Sequence, residues 1–464
     1  MKRLFVDCSF LAQYPHIRTG IQRVVRRLVD EIPSSFHEHS TEMILVRLDN
    51  SRILPVEAPS IQYATPEVVG SKNALHEHRL SQIIDGTREY LLGISNALLN
   101  LCIMILPTHR SRHYFLSTLR KSRAVFKSIK YSLTGQLSRQ GVIAQQSTPG
   151  EIQDLGPQDC LLMLDSSWHI AVSPAVEKFK QANSKVIYVI YDLIPVLYPQ
   201  FCDKGLIPVF DRWIRDTSKY ADGYLCISEA VKNDLQHFMR VHAVGDATRF
   251  VYGSFPLGCD IAKSEPESNP DNLPSNLREM FYGAPAFLMV STIEPRKNHK
   301  MVLDAFDRLW SEGVQAKLVI VGKVGWEVQQ LLMRLRSHSE LNKKLFVINN
   351  ADDALVQYCY KKATGLVFAS YTEGFGLPIV EALAAGLPVI ASDIPCHREV
   401  GKNIVSYFDL EQPVTLIKGI KDLMVNSDRH RERVAKAIQQ PGVIMSWRQS
   451  AEHAIGFCKK VMSS

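Results

Sequence analysis

The sequence predicts an α/β protein of two doubly wound domains, each built on a mostly parallel sheet, that face each other across a cleft. Short apolar runs rich in β-forming residues alternate with amphipathic helical segments in both halves of the chain, a pattern typical of parallel sheets. Residues 261–278 are polar and proline-rich without periodicity, as expected of a linker between domains. The length of 464 residues also exceeds that of one typical domain.

The first domain, expected over residues 1–262, begins with a buried strand, KRLFVD. A loop ending in RTG and the amphipathic helix IQRVVRRLVDEI follow, so Gly20 is placed in a strand-to-helix connection. Further strands are predicted at 161–165, 186–192 and 223–228, and the last of them precedes a helix, EAVKNDLQ.

The second domain, expected over residues 279–440, repeats this alternation. Strands are predicted at 286–292, 317–322 and 344–349, with a helix at 299–310 after the first of them. The rest of the chain, residues 441–464, is expected to form a helix that packs back on the first domain.

Residues 365–393, GLVFASYTEGFGLPIVEALAAGLPVIASD, predict a strand, a glycine-rich loop, a helix and a second strand. Pro378 suits the first helical turn and Gly386 the helix C-terminus. The loop therefore lies at the carboxyl end of a strand, where open α/β sheets bind ligands and where a helix N-terminus favours anions. Glu373 lies in this loop and is a candidate binding residue, whereas Glu381 is explained equally well as compensation of the helix dipole.

Composition indicates a globular protein of a reducing compartment. The chain is 46% hydrophobic and 22% charged, and its nine cysteines include no C-x-x-C pair, which argues against a disulfide framework and a zinc ribbon. The N-terminus, MKRLFVDCSF, lacks the long apolar core of a signal peptide, so we expect a cytoplasmic protein.

A basic insertion is predicted in the first domain at about 90–150, where no Asp or Glu occurs and eight Lys or Arg residues do. Apolar residues at helical spacing, with cations on the other faces, indicate a basic amphipathic helix beside the short apolar run 97–106. Such a pair is typical of attachment to an anionic membrane surface, while a helix that only covers the domain remains an alternative. Nucleic-acid binding is disfavoured because no aromatic-interleaved motif accompanies the charge. The membrane-contact candidates are Arg120, Lys121, Arg123 and Lys127.

The segment STIEPRKNH, residues 291–299, follows one strand and precedes a helix, and Asn298 is placed to act as its N-cap. Arg296 and Lys297 are adjacent cations beside a helix N-terminus that is itself positive. This arrangement predicts a bound anion, and a phosphate fits the arginine fork and the lysine point charge.

These motifs resemble those of the retaining nucleotide-sugar glycosyltransferases of the GT-B fold, the large group that includes bacterial mannosyltransferases, sucrose synthases and phosphatidylinositol mannosyltransferases. The resemblance is dense in the second domain, in STIEPRKN and EGFGLPIVEALAAGLPVIAS. In the first domain it is carried by RTGIQRVVR, LDSSW, VIYDLIP and CISEAVKNDL. It implies two Rossmann-like domains, with the acceptor bound in the first and the nucleotide-sugar donor in the second.

The resemblance implies roles for the loop residues of the second domain. Arg296 and Lys297 would hold the donor diphosphate, Glu373 would approach the donor sugar, and Glu381 would take the ribose hydroxyls. The loop backbone would meet the donor sugar and phosphate at Gly374, Phe375, Gly376 and Leu377.

Two further positions follow from the same resemblance. Gly20 would let the backbone of the first domain approach the diphosphate when the cleft closes. Residues 350–355 match the loop that forms the base pocket, through main-chain contacts.

The chain departs from many relatives at the end of the strand VIYVIYD, where Tyr191 precedes Asp192 in place of a His-Asp pair. We therefore expect Asp192 to position or deprotonate the acceptor hydroxyl. His169 is an alternative base, although a single histidine after a strand is more often structural.

The expected reaction needs neither a metal nor another cofactor. No D-x-D pair is present to hold a divalent cation, so Arg296, Lys297 and helix dipoles would neutralise the charge of the leaving group. The resemblance implies retention of the anomeric configuration and mannose from GDP-mannose as donor, with UDP- and dTDP-sugars as alternative donors. It also implies a lipid-linked saccharide as acceptor, at the inner face of the membrane. A dehydrogenase is disfavoured because GFGLPI does not complete G-x-G-x-x-G, and a sugar-nucleotide epimerase or a non-catalytic scaffold remain rivals.

Overall fold

The computed structural model describes residues 1–15, 17, 19–33, 41–57, 150–259 and 279–464. Contacts divide the chain into one unit formed by residues 1–62 with 150–464 and a second formed by residues 63–149. The predicted linker 261–278 and basic insertion, except Gly150, lie outside the described residues. All that follows concerns the first unit.

Its first sheet has seven strands in the order β3-β2-β1-β4-β5-β6-β7, parallel except for the antiparallel pair β2 and β3. The strands are β1 Arg3–Asp7, β2 Glu42–Asp49, β3 Arg52–Pro55, β4 Asp159–Met163, β5 Lys185–Ile190, β6 Gly223–Cys226 and β7 Val251–Ser254. The accompanying helices are α1 Ser9–Gln13, α2 Gly20–Glu31, α3 Ser173–Gln181, α4 Ile194–Leu197, α5 Leu206–Thr217 and α6 Glu229–Val241.

The second sheet has six strands, all parallel, in the order β10-β9-β8-β11-β12-β13. They are β8 Ala286–Val290, β9 Lys317–Val321, β10 Leu345–Ile348, β11 Gly365–Phe368, β12 Val389–Ser392 and β13 Ser406–Phe408. The helices are α7 His299–Ser311, α8 Gln329–Arg336, α9 Asp353–Lys362, α10 Leu377–Ala384, α11 Pro395–Gly401, α12 Pro413–Val425, α13 Ser427–Ile438 and α14 Trp447–Ser463.

The predicted fold class, α/β with two doubly wound sheets, is confirmed. In each sheet the strand order reverses next to the first strand, between β1 and β4 and between β8 and β11. Loops that leave the carboxyl ends of the strands at such a reversal diverge and leave a crevice for a ligand. One local expectation was wrong: Gly20 does not lie in the connection before α2 but is the first residue of that helix.

The last helix, α14, lies against the first sheet. It contacts α2 and strands β4, β5 and β6, and its residues Phe457 and Val461 belong to the same apolar core as β1. Glycines on the strands permit this close packing, since a Cβ on Gly253 would lie 2.4 Å from the Phe457 ring. No helix among the described residues is long and apolar enough to span a bilayer.

Replacement of Gly258 by Ala tests this packing. A Cβ at Gly258 would lie 2.5 Å from backbone atoms of Trp447, and backbone cannot give way as a flexible side chain does. We expect Gly258→Ala to lower the free energy of unfolding by about 1–3 kcal/mol, as overpacking does. The measurement is urea unfolding followed by tryptophan fluorescence.

The matched control is Gly456→Ala, within α14, where a new Cβ meets nothing within 4 Å. Alanine favours a helix over glycine by about 0.5–1 kcal/mol, so this variant should be as stable as the parent or more so. Equal stability of both variants would contradict the proposed contact of α14 with the segment after β7.

Candidate functional site

The strand reversal in the second sheet brings two predicted loops together. Because β8 and β11 are parallel neighbours, the loops that follow them, 291–298 and 369–376, leave the same edge of the sheet. The backbone N–H of Tyr371 donates to the carbonyl of Arg296 at 2.9 Å, and Arg296 Nη1 donates to the carbonyl of Thr372 at 2.8 Å. The two loops therefore form one structure around the Arg296 side chain.

A compact charge cluster lies between these loops. Arg296 contacts Glu373 Oε2 through Nη1 and Glu294 Oε1 through Nη2, both at 2.7 Å, and Lys297 Nζ contacts Glu373 Oε1. The Ser370 hydroxyl donates to the same Oε1 at 2.7 Å. The side chains of Arg296 and Glu373 are only 15% and 10% exposed, so these contacts are largely shielded from water.

Burial and charge act in opposite directions on this cluster. Burial alone raises the pKa of Glu373, but the charges of Arg296 and Lys297 outweigh it and hold that pKa well below its usual range. Burial and the neighbouring Arg296 charge lower the pKa of Lys297, although Glu373 opposes them. The counter-charge for the two cations, predicted to be a bound anion, is supplied here by Glu373 and Glu294 of the chain itself.

Asn298 precedes α7 in the N-cap position, but the predicted capping bond is wrong. Its backbone is left-handed, with φ 58° and ψ 37°, and its side chain makes no capping hydrogen bond. A capping residue needs extended backbone to aim its oxygen at the helix N–H groups. The Asn298 Nδ2 instead contacts Met301 Sδ at 3.4 Å.

Glu381 is held from both domains. It lies in α10 and is 8% exposed; Arg23 Nη1, from α2 of the first domain, contacts its Oε1 at 2.6 Å. The Tyr360 hydroxyl, from α9, donates to its Oε2 at 2.9 Å. Glu381 therefore does more than compensate the dipole of its own helix.

The glycine-rich loop itself is a contact between the domains. An added Cβ at Gly374 would lie 2.1 Å from the carbonyl oxygen of Tyr191, and the Gly374 carbonyl accepts from Ser228 Oγ at 2.7 Å. Phe375 is buried in the core of the first domain, and Leu377 packs against it. The absence of a side chain at Gly374 is thus required by Tyr191 of the first domain.

Gly376 has a different role within the same loop. Its φ is +105°, in the region that L residues rarely adopt, and it immediately precedes α10. This conformation turns the chain into the helix, whose second residue is Pro378 as the sequence predicted.

Asp192 approaches the charge cluster from the first domain. It follows β5, is partly exposed, and its Oδ1 accepts from the N–H of Ile194 at 3.0 Å. Burial raises the pKa of Asp192, while the charge of Arg296 opposes that rise. Asp192 and Arg296 line one cavity of about 160 Å³, so residues of both domains meet there.

The other predicted positions are distributed around this cavity. Gly20 is exposed, and an added Cβ would meet nothing within 4 Å; the next residue, Ile21, lines the cavity. His169 is exposed and lies edge-on to Trp168, with ring centroids 6.2 Å apart, and only Trp168 of the two lines the cavity. In the 350–355 loop after β10, Asp352 Oδ1 caps α9 by accepting from Leu355 N at 2.8 Å.

A pair of buried acids lies at the strand reversal of the first sheet. Asp7 ends β1, and its Oδ1 accepts from Ser9 N at 3.0 Å; Asp165 follows β4, and its Oδ2 accepts from Leu11 N at 2.6 Å. Asp7 Oδ2 is buried without a hydrogen-bond partner. Burial and the charge of Asp165 raise the pKa of Asp7 to about 7, and burial raises that of Asp165 to about 6. Both carboxyls hold the loop that leads from β1 to α2.

Several of these residues were not singled out from the sequence. Arg23 and Glu294 lie within motifs that carried the family resemblance, and that position was the available signal. Ser370 and Asp7 gave no such signal because each looked like the polar end of an apolar strand. Tyr360 gave none because its partner, Glu381, lies 21 residues away.

The predictions about a metal ion and about membrane contact are not tested by these contacts. Among the described residues no group of three or more His, Cys, Asp or Glu could hold a metal ion. The four membrane-contact candidates Arg120, Lys121, Arg123 and Lys127 lie outside the described residues.

A second, larger cavity of about 490 Å³ lies elsewhere in the second domain. Lys402, Arg429, Arg433 and Lys436 contribute to its lining. Lys402 precedes β13, so this cavity is at the amino edge of the sheet, and it contains none of the predicted site residues.

The buried acids predict a distinctive pH dependence of stability. Because the pKa of Asp7 is higher in the folded than in the unfolded protein, folding binds a proton between about pH 4 and 7, and stability should fall as pH rises through that window. Asp7→Asn removes this proton while keeping an oxygen for Ser9. The fall between pH 5 and 7.5 should be smaller by about 2–3 kcal/mol in the variant, since one pKa unit corresponds to about 1.4 kcal/mol.

Urea unfolding at a series of pH values measures this difference. Asp49→Asn is the control, since Asp49 is exposed and pairs with Arg52 on the surface. Identical pH slopes for wild type and Asp7→Asn would show that Asp7 is ionised throughout and refute the prediction.

Comparison with known proteins finds similarity to a family in the second domain. Residues 281–440 match the family described as Glycosyl transferases group 1. The serotype-specific mannosyltransferase WbdA of Escherichia coli is 34% identical over 299 residues, which are 63% of this chain and 36% of WbdA. The O-antigen chain mannosyltransferase RfbU of Salmonella typhimurium is 26% identical over 238 residues, which are 50% of this chain and 59% of RfbU. The matched region thus spans about a third of WbdA.

Solved structures share the fold over the full length. The sucrose-phosphate synthase of Thermosynechococcus elongatus gives a TM-score of 0.55 at 16% identity and covers 100% of both chains. Anabaena HepE in complex with UDP and glucose gives a TM-score of 0.54 at 13% identity and covers 99% of both chains. The chain therefore carries a domain of the glycosyl transferases group 1 family on a GT-B fold.

Proposed function

We propose that this protein is a retaining glycosyltransferase that transfers mannose from GDP-mannose to a lipid-linked saccharide during synthesis of a bacterial surface polysaccharide, such as an O-antigen, capsule or exopolysaccharide. The observation that carries the proposal is the Arg296, Lys297 and Glu373 cluster, which lies at the strand reversal and faces Asp192 of the other domain. The mannosyltransferase relatives support the choice of reaction and sugar.

The donor diphosphate would bind Arg296 and Lys297 in place of the Glu373 carboxylate. Both cations already point at one anionic group, and a diphosphate offers more oxygens and more charge than a carboxylate. The exchange would release Glu373 to accept from a hydroxyl of the donor sugar. The N-terminus of α10 adds a further favourable site for the phosphate.

The nucleoside would extend toward Glu381. Its two carboxylate oxygens now accept from Arg23 and Tyr360, so each is positioned to accept a hydrogen bond. A ribose with two neighbouring hydroxyls matches that pair, and its binding would exchange for the Arg23 contact. The loop 350–355 is then the place for the base.

In the transfer step, an acceptor hydroxyl attacks the anomeric carbon while the bond from that carbon to the diphosphate breaks on the same face, which retains the configuration. Arg296 and Lys297 hold the charge that develops on the leaving oxygen, each worth about 3 kcal/mol in such preorganised sites. With these two cations in place, no metal ion is required. Asp192 positions the hydroxyl and takes its proton, and the raised pKa of Asp192 makes it a stronger base than an ordinary aspartate.

A nucleotide panel tests the donor site. GDP, UDP, dTDP and ADP are each added to wild type and to Arg296→Ala, and unfolding is followed by differential scanning fluorimetry. GDP at about 100-fold over its Kd should stabilise the wild type by about 2.7 kcal/mol. Arg296→Ala should lose this stabilisation, because it removes the guanidinium that holds the diphosphate.

Arg296→Ala also strips Glu373 and Glu294 of a buried partner and lowers stability by itself, so the nucleotide-induced shift is compared within each protein. Arg308→Ala is the control, because Arg308 pairs with Glu312 on the exposed face of α7 and should keep the full shift. If UDP or dTDP alone stabilises the wild type, that nucleotide replaces GDP as the proposed donor base. No shift with any nucleotide would favour the non-catalytic scaffold, and conversion of the sugar nucleotide without acceptor would favour an epimerase.

Membrane attachment is proposed through residues 97–133, on the cytoplasmic face of the plasma membrane. The full-length protein should float with vesicles that contain anionic lipid, and flotation should be lost in high salt or when Arg120, Lys121 and Arg123 are changed to Gln. The physical reason is that attraction of cations to an anionic surface is worth about 1 kcal/mol per residue and is screened by salt.

The control for flotation neutralises three exposed cations of the second domain instead, Arg308, Lys343 and Lys361, and should float as the wild type does. If flotation is unchanged in high salt and by the three Gln substitutions, membrane attachment through the basic segment is refuted, and that segment only covers the first domain.

A further inference from the structure

The cavity that contains Asp192 has an unusual lining for a site between charged loops. Three of the five tryptophans of the chain, Trp168, Trp213 and Trp326, line it together with Phe201 and Phe210. Its volume of about 160 Å³ is below the range of about 300 to 1,000 Å³ that holds drug-sized ligands. A single six-membered ring is the size of ligand that such a space accommodates.

One wall of the cavity is a fixed aromatic cluster. The Trp168 ring lies 5.5 Å from both Phe210 and Trp213, and Phe210 and Trp213 are 5.1 Å apart, between ring centroids. Trp213 Nε1 donates to Ser167 Oγ at 3.0 Å, which fixes the indole orientation. The wall is therefore preorganised before any ligand enters.

The mouth of the cavity involves the second domain. Phe201 stacks on Tyr371 at 5.2 Å between centroids and 15° between planes, and Tyr371 belongs to the glycine-rich loop. Trp326 is 42% exposed. Its indole is therefore accessible to a ligand in the cavity.

Among the described residues, the cavity lining contains two charged side chains. Asp192 and Arg296 are its charged lining residues, and Arg296 is already neutralised by Glu373 and Glu294. A ligand there meets a lining rich in aromatic side chains and one carboxylate, that of Asp192. A neutral pyranose suits such a lining, with a face of C–H groups and hydroxyls around its edge.

We propose that this cavity is the acceptor subsite and that it binds the terminal neutral pyranose ring of the acceptor saccharide, with its C–H face against Trp168 and its attacking hydroxyl at Asp192. The inference rests on the proposed transferase function and adds the class of sugar that is accepted. A terminal sugar with a carboxylate or phosphate is excluded, because the cavity offers no cation that is not already paired within the described residues that line it.

Cys202 provides a readout that does not depend on activity. It lines the cavity and is partly exposed, whereas the other cysteines that the structure describes are buried. The full-length protein is treated with methyl methanethiosulfonate, and modification of Cys202 is followed by peptide mass spectrometry, which also distinguishes it from Cys102. Saturating α-mannobiose should slow modification of Cys202 several-fold, with GDP present in every sample.

A disaccharide that ends in glucuronic acid is the matched probe and should give no protection. Protection by both disaccharides would refute the selection for a neutral sugar. Protection by neither would refute the subsite.

Replacement of a tryptophan that lines the cavity is the second test. Trp168→Leu should raise the KM for α-mannobiose about tenfold, the loss expected for one aromatic stacking contact, while the shift of Tm with GDP is retained. Trp310→Leu is the control, because Trp310 lies in α7 and donates to the carbonyl of Ala316 at 2.8 Å, away from the cavity. If Trp168→Leu does not fold, Trp326→Ala replaces it, since the exposed Trp326 tolerates substitution.

The outcomes separate the two proposals. If wild type shows neither a shift with a nucleotide nor transfer, the transferase function itself fails. If it shows both, while the KM for α-mannobiose and the protection of Cys202 are unchanged in the tryptophan variants, only the acceptor subsite is refuted.

Discussion

The arrangement of the second domain depends on the contact of Glu373 with Arg296 and Lys297. Two adjacent cations beside a helix N-terminus repel each other and the helix dipole, and they are largely buried. A buried charge that loses its partner costs several kcal/mol, so the loops after β8 and β11 are fixed to each other as long as the carboxylate stays. An anionic ligand that binds the two cations would compete with Glu373 for them.

The same loop also links the domains, so the charge cluster and the first domain are coupled. Gly374 abuts Tyr191, and its carbonyl accepts from Ser228. At a second point the Glu399 carboxylate accepts from the N–H groups of Glu229 and Ala230 at the start of α6, at 2.8 and 2.9 Å. Displacement of Glu373 would move a loop that touches the first domain directly, and Asp192 lies one residue beyond Tyr191. The charge cluster and Asp192 are thus linked through a few residues of packed backbone.

Much of the fold could be predicted because its signals are local. Strand and helix positions follow from periodicity and from turn residues such as Pro378 and Gly386, and parallel connectivity then places Arg296 and Glu373 at one sheet edge. The contact of Arg23 with Glu381 joins residues 358 positions apart, and no local pattern encodes it. The buried Asp7 looked like the polar end of an apolar strand, and the left-handed backbone of Asn298 depends on packing around it. The aromatic cavity was also missed, because its aromatic members come from segments between 168 and 326 that meet only in the folded chain.

The residue before Asp192, Tyr191, has a structural role that bears on the proposed base. The Tyr191 hydroxyl donates to the carbonyl of Leu164 at 2.8 Å and is buried, and burial with the nearby Asp165 charge raises its pKa well above the usual value. Tyr191 is therefore a neutral structural group that ties β5 to the segment after β4, and its own carbonyl is the atom that Gly374 approaches. Of these two neighbours, Asp192 carries the carboxylate, and the charge of Arg296 opposes the rise in its pKa that burial causes. The tyrosine supports the position of the aspartate, and the aromatic wall lines the same cavity as that carboxylate.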